Sequence, residues 1–142
     1  MADISSLDIA LAAARAADER KAFDIMILDV RELVDVTDYF VIATGRNNPQ
    51  VEAIVSNVED ELIDKLGVKP NHREGANDPG WKLIDYGDVV VDVFQPEVRE
   101  YYRLESLWGD AKVVDLAQAG IENPEYSERI GQLVERHEGA VN

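Results

Sequence analysis

The stretch "WKLIDYGDVVVDVF", Trp81 to Phe94, decides how this chain is read. Two runs rich in β-branched and aromatic residues flank Gly87-Asp88, a pair that fits a two-residue type II′ hairpin turn. That turn sets a register in which Tyr86 faces Val89, Asp85 faces Val90, Leu83 faces Asp92 and Trp81 faces Phe94. Side chains alternate along a strand, so one face carries Ile84, Tyr86, Val89, Val91 and Val93, with Lys82 at its far end. The other carries Trp81, Leu83, Val90 and Phe94 together with Asp85 and Asp92. The first is the expected core face. The second mixes apolar groups with carboxylates and poses the functional question: a metal site, or a surface that another molecule recognises.

Upstream of the hairpin, a helix is expected from about Ser6 to Lys21, with Ser5 and Asp8 at capping-box spacing and an alanine-rich middle suited to close packing. "FDIMILDV" and "YFVIATG" read as strands, and the short polar link between them suits antiparallel neighbours. A second helix is capped by Asn47 or Asn48, has Pro49 in its first turn and ends at Gly67. His72 to Glu74 fits a short edge strand, and "NDPG" signals a turn before Trp81. Downstream, a third helix opens at Pro96 and runs to Gly109, with Val98, Tyr101, Leu104 and Trp108 as its apolar stripe and Glu105 at the stripe's edge. "AKVVDL" fits a last strand or an extended segment. Beyond Leu116 the chain turns polar: a weak helix capped by Asn123, with Tyr126, Ile130, Leu133 and Val134 on one side, and a mobile tail are both open.

The 142 residues suffice for one core. The chain has no cysteine, which excludes disulfides, thiol nucleophiles and cysteine zinc sites, and its histidines are only His72 and His137. The first residues lack a basic segment and no apolar run approaches membrane-spanning length, so a cytoplasmic protein without membrane contact is expected. Twenty-nine acidic against fourteen basic residues give a net charge of −15. Such a chain lacks the basic footprint that nucleic-acid backbones require, and it favours a basic protein partner.

Asp85 and Asp92 could together hold a hard cation such as magnesium, as in phosphoryl or nucleotidyl transfer. The supporting parts are missing: there is no D-x-D pair, no phosphate-binding loop and no cluster of Lys or Arg to clamp a triphosphate. No serine sits in a nucleophile-elbow context. No catalytic residue, metal site or cofactor is therefore expected. Trp81, Tyr86, Tyr102 and Arg99, framed by charge, have the composition of a protein-binding hot spot. Trp108, on its stripe, reads as core.

"YFVIATG", Gln50 at a helix start, Glu74-Gly75, "WKLIDYGDVVVDVF" and "REYYRLESLW" together resemble the ribosomal silencing factor, or Iojap-like, family over about residues 6–116. The resemblance implies an α/β (α+β) fold, a mixed sheet flanked by helices, similar to a nucleotidyltransferase without its catalytic carboxylates. It implies a non-enzymatic domain over residues 1–116, followed by a polar extension at 117–142. It further implies binding to the large-subunit ribosomal protein numbered fourteen on the intersubunit face, steric block of subunit joining, and repression of translation when nutrients are scarce. Little direct nucleic-acid contact and a homodimer in the free state are expected with it. By the match, Trp81, Asp85, Tyr86, Arg99, Tyr102, Leu104 and Glu105 fall in or beside the segments that meet the ribosomal protein. Two departures stand out: many relatives carry His at the position of Asp92, and many carry an S-x-R-Q-like segment where this chain has "NNPQ". The alternatives outside the family are a metal-dependent nucleotidyltransferase and an acidic adaptor for another basic protein.

Overall fold

The computed structural model describes the backbone of residues 4–78 and 80–141 and the side chains as far as residue 136; Pro79 of the "NDPG" turn and the side chain of His137 lie outside the described residues. The strands are β1 (Phe23–Asp29), β2 (Tyr39–Thr44), β3 (His72–Glu74), β4 (Trp81–Asp85), β5 (Val89–Phe94) and β6 (Lys112–Val113). The helices are α1 (Ser6–Glu19), α2 (Asn48–Leu66), α3 (Pro96–Tyr102), α4 (Leu104–Leu107) and α5 (Glu128–Val141), with a 3₁₀ turn at Leu116–Ala119. The strands form one mixed sheet in the order β3-β4-β5-β2-β1-β6, antiparallel throughout except for the parallel pair β2-β5.

The hairpin has the expected register, with Trp81 opposite Phe94, Leu83 opposite Asp92 and Asp85 opposite Val90. Tyr86 N–H donates to Val89 O at 2.8 Å to close it, and Gly87 takes the positive φ of 89° that the turn demands. Ile84, Tyr86, Val89, Val91 and Val93 point into a core covered by α1 and α2. Ala10, Ala13, Ala14, Ala16 and Ala17 of α1 are buried there, small enough to bring the helix down onto the sheet and α2. The expected caps are present. Ser5 Oγ accepts from Asp8 N–H while Asp8 Oδ2 accepts from Ser5 N–H. Asn47 caps α2 through Gln50 N–H, and Gly67 ends that helix in the left-handed region.

Three expectations are corrected. The face read as mixed is a second core: Met26, Leu28, Ile42 and Phe94 from the sheet pack with Ile130 and Val134 of α5 and with Val98, Leu104 and Trp108. α1 stops at Glu19, short of Lys21, whose φ of 62° is incompatible with a continuing helix. The third helix does not run unbroken to Gly109. Arg103 takes a left-handed φ of 47° and separates α3 from α4. The break resets the helical phase, so Val98, Leu104 and Trp108 still face the core while Tyr101 swings out to 81% exposure. Of the two open readings of the tail, a docked helix is the one found. It begins at Glu128 rather than at a cap on Asn123.

Candidate recognition surface and its buried support

Trp81 stands at the open end of the hairpin because the preceding loop can approach it closely. Gly75 has φ 84°, and a Cβ there would lie 2.3 Å from Trp81 O. Gly80 lies against Val98 Cγ2, 2.5 Å from where its own Cβ would be. Lys82 Nζ donates to Gly75 O, Ala76 O and Asp78 O at 2.7, 3.1 and 2.8 Å, tying the loop to β4. Held this way, Trp81 is half-buried and its indole N–H donates to Asp92 Oδ1 at 3.0 Å. Asp92 lies between Leu83 and Ile42 in adjacent strands. Burial pushes its carboxyl up to about 6, against the lowering effect of the Trp81 hydrogen bond, and Glu74 adds a smaller push in the same direction. Asp85 instead accepts the Gly87 N–H at 2.7 Å, buttressing the turn. Both carboxylates are thus engaged in shaping the hairpin. Among the described residues no group of three or more His, Asp and Glu side chains could hold a metal ion.

From Trp81 an aromatic line runs outward. Phe94 is its cross-strand partner, Tyr102 tilts over Phe94 with ring centroids 6.4 Å apart, and Tyr101 meets Tyr102 edge-on at 5.1 Å. Tyr102 is 59% exposed and Leu107 70% exposed. Leu83, Val90 and Leu104 are half-buried.

Beneath this surface lies a buried ionic cluster. Arg99 donates from Nη1 to Thr44 Oγ1 at 2.8 Å and to Asp24 O, and from Nε to Glu105 Oε1 at 3.2 Å. Glu105 Oε1 also accepts from Arg129 Nη2 at 2.9 Å. Burial lowers the affinity of Arg99 for its proton, countered by the neighbouring Glu105 and Asp24. Asp24 sits at a β-bulge with φ 51°, which turns its carbonyl toward Arg99 and its carboxylate toward Ser127.

The seven residues expected at a protein interface therefore divide. Trp81, Asp85, Tyr102 and Leu104 share one side of the molecule at partial or full exposure. Tyr86 lies on the opposite face of the sheet, buried in the α1–α2 core, and its hydroxyl is held above its ordinary range by burial and then by Glu59. Arg99 and Glu105 are 2% and 1% exposed. Their side chains support the surface from below. Trp108 stacks on Phe40 with centroids 5.5 Å apart, in keeping with its reading as core. The reading from sequence missed Asp24, Ser127 and Arg129. The only signal of them was Glu105 itself, an acid at the edge of an apolar stripe that needs a buried partner.

The result is an α+β scaffold whose surface aromatic and acidic groups are braced from within by hydrogen bonds and a buried ionic cluster. The family described as "Ribosomal silencing factor during starvation" matches residues 3–137, and the chain belongs to it. This is a family of non-enzymatic regulators, and the match runs past Leu116 into α5. The chain is 44% identical over 104 residues to "Ribosomal silencing factor RsfS" of Bacillus subtilis, across 73% of this chain and 87% of that one. It is 39% identical over 117 residues to "Protein Iojap, chloroplastic" of Zea mays, across 80% of this chain and 49% of that protein. The crystal structure of protein CV0518 from Chromobacterium violaceum superposes with a TM-score of 0.71 at 38% identity, covering 75% of this chain and 88% of that one.

Proposed function

We propose that this protein binds the large ribosomal subunit through a basic ribosomal protein, the one numbered fourteen, on the face that meets the small subunit. Once bound, it occupies ground the small subunit needs, and translation falls when nutrients are scarce. The observation that carries this reading is the exposed line Tyr101–Tyr102 running onto Phe94 and Trp81 in a protein of net charge −15. Exposed aromatics beside acidic groups fit a basic protein surface better than a nucleic-acid backbone. The contacting residues on this reading are Trp81, Asp85, Tyr102 and Leu104, with Arg99 and Glu105 fixing their backbone. The free protein is a cytoplasmic homodimer needing no cofactor, and the contacting residues lie within residues 1–116.

Light scattering of subunit joining tests it. Large subunits preincubated with the protein should fail to join small subunits, whereas Tyr102→Ala should inhibit only at much higher concentration. Unimpaired joining at saturating wild-type protein would overturn the proposal.

A further inference from the structure

Arg129 lies in the first turn of α5, partly buried, and its guanidinium forks between two helices. Nε donates to Glu100 Oε2 and Nη2 to Glu105 Oε1, each at 2.9 Å. Glu100 belongs to α3 and Glu105 to α4, so the fork spans the left-handed break at Arg103. Burial opposes the charge of Arg129, but its hydrogen bonds and ion pairs with Glu105 and Glu100 outweigh it and hold the guanidinium above its ordinary range. The start of α5 is itself anchored. Ser127 N–H and Oγ donate to the Asp24 carboxylate at 2.6 and 2.7 Å, and Ile130 and Val134 are buried in the second core.

α4 has 4 residues and no side-chain cap, so its own hydrogen bonds cannot fix its direction. Left-handed geometry at a non-glycine residue is unfavourable and persists only where surroundings impose it. The surroundings here are Arg99 from below, Arg129 from the side, and Arg103's own side chain, which donates to Glu100 O at 3.1 Å and pairs with the Glu100 carboxylate that Arg129 also holds. We infer that Arg129 is a positioning residue for recognition: by bracing α3 against α4 from the C-terminal helix, it holds Tyr102 and Leu104 in the presentation the ribosomal partner meets. This rests on the reading of Tyr102 and Leu104 as contacts. It gives the polar extension a role that composition alone left open.

The test uses the full chain and separates bracing from binding. Backbone amide exchange across residues 100–107 and affinity for purified large subunits are measured in Arg129→Gln, Arg129→Lys and Arg136→Gln. Arg136 is exposed on the same helix and controls for net charge. In Arg129→Gln, exchange should quicken by about tenfold in this segment while the sheet stays protected. Affinity should fall by about tenfold, because a loosened segment must be ordered on binding. Arg129→Lys, a single point charge without the planar fork, should fall between, and Arg136→Gln should match wild type. Unchanged exchange in Arg129→Gln, faster exchange with undiminished affinity, or an equal effect from Arg136→Gln would each overturn the inference. If wild type itself does not bind, the ribosomal reading fails and the exchange result alone decides the brace.

Discussion

Asp92 is a carboxylate placed where a carboxylate is costly, and it makes the structure testable at a single atom. Its folded value of about 6 exceeds the model-compound 3.8, so the folded state favours the protonated form. Stability from this group is fully present below about pH 4 and is lost as pH rises through about 6. At neutral pH the penalty is on the order of 3 kcal/mol. Asp92→Asn keeps an oxygen for the Trp81 indole and removes the charge. In urea denaturation it should be the more stable protein at pH 7.5 and equal to wild type at pH 4; equality at both would show that the carboxylate is not penalised. Glu105 makes the opposite case. Glu105→Ala strands the Arg99 guanidinium in the interior and should cost about 3–5 kcal/mol. Tyr102→Ala removes an exposed ring, so stability should change by about 1 kcal/mol or less while affinity for large subunits drops about thirtyfold. The same denaturation assay, with a binding titration beside it, separates the two.

At the scale of elements, the loop before β4 sets how Trp81 is presented. Gly75→Ala would bring a Cβ against Trp81 O in a backbone conformation that L residues avoid. It should destabilise the protein by several kcal/mol in thermal or urea melts, and an unchanged midpoint would contradict the geometry. The elements that could be read in the sequence were those whose signals are local. The hairpin register followed from period-two alternation around Gly87-Asp88, and α2 from Asn47, Pro49 and Gly67. The break at Arg103 had no such signal, since Gly and Asn are the residues that usually announce a left-handed position. Without it, Tyr101 read as core and helix 3 as continuous. The pairing of Glu105 with Arg129 and of Asp24 with Ser127 joins residues far apart in the chain, beyond the reach of any periodicity. The second core was hidden for the same reason, because α5 shows only a few apolar residues in a polar run and their partners lie in β1, β2 and β5. Of the surface itself, Trp81 and Tyr102 could be proposed from composition. That Arg99 and Glu105 lie beneath them could not.

For the whole molecule, two cores on either side of one sheet make a rigid body, and the charge of −15 gives it long-range reach toward a basic partner. The steric block proposed above would draw on both properties: fast encounter, and a body that does not yield when the other subunit approaches. Association with large subunits should therefore slow as salt rises from 50 to 300 mM in stopped-flow mixing, with a weaker effect on dissociation. The central claim is occupation of the joining face, and sucrose-gradient sedimentation of lysate containing the tagged protein tests it most directly. The protein should travel with free large subunits and be missing from joined ribosomes. Equal amounts with small subunits, or recovery with joined ribosomes, would contradict it.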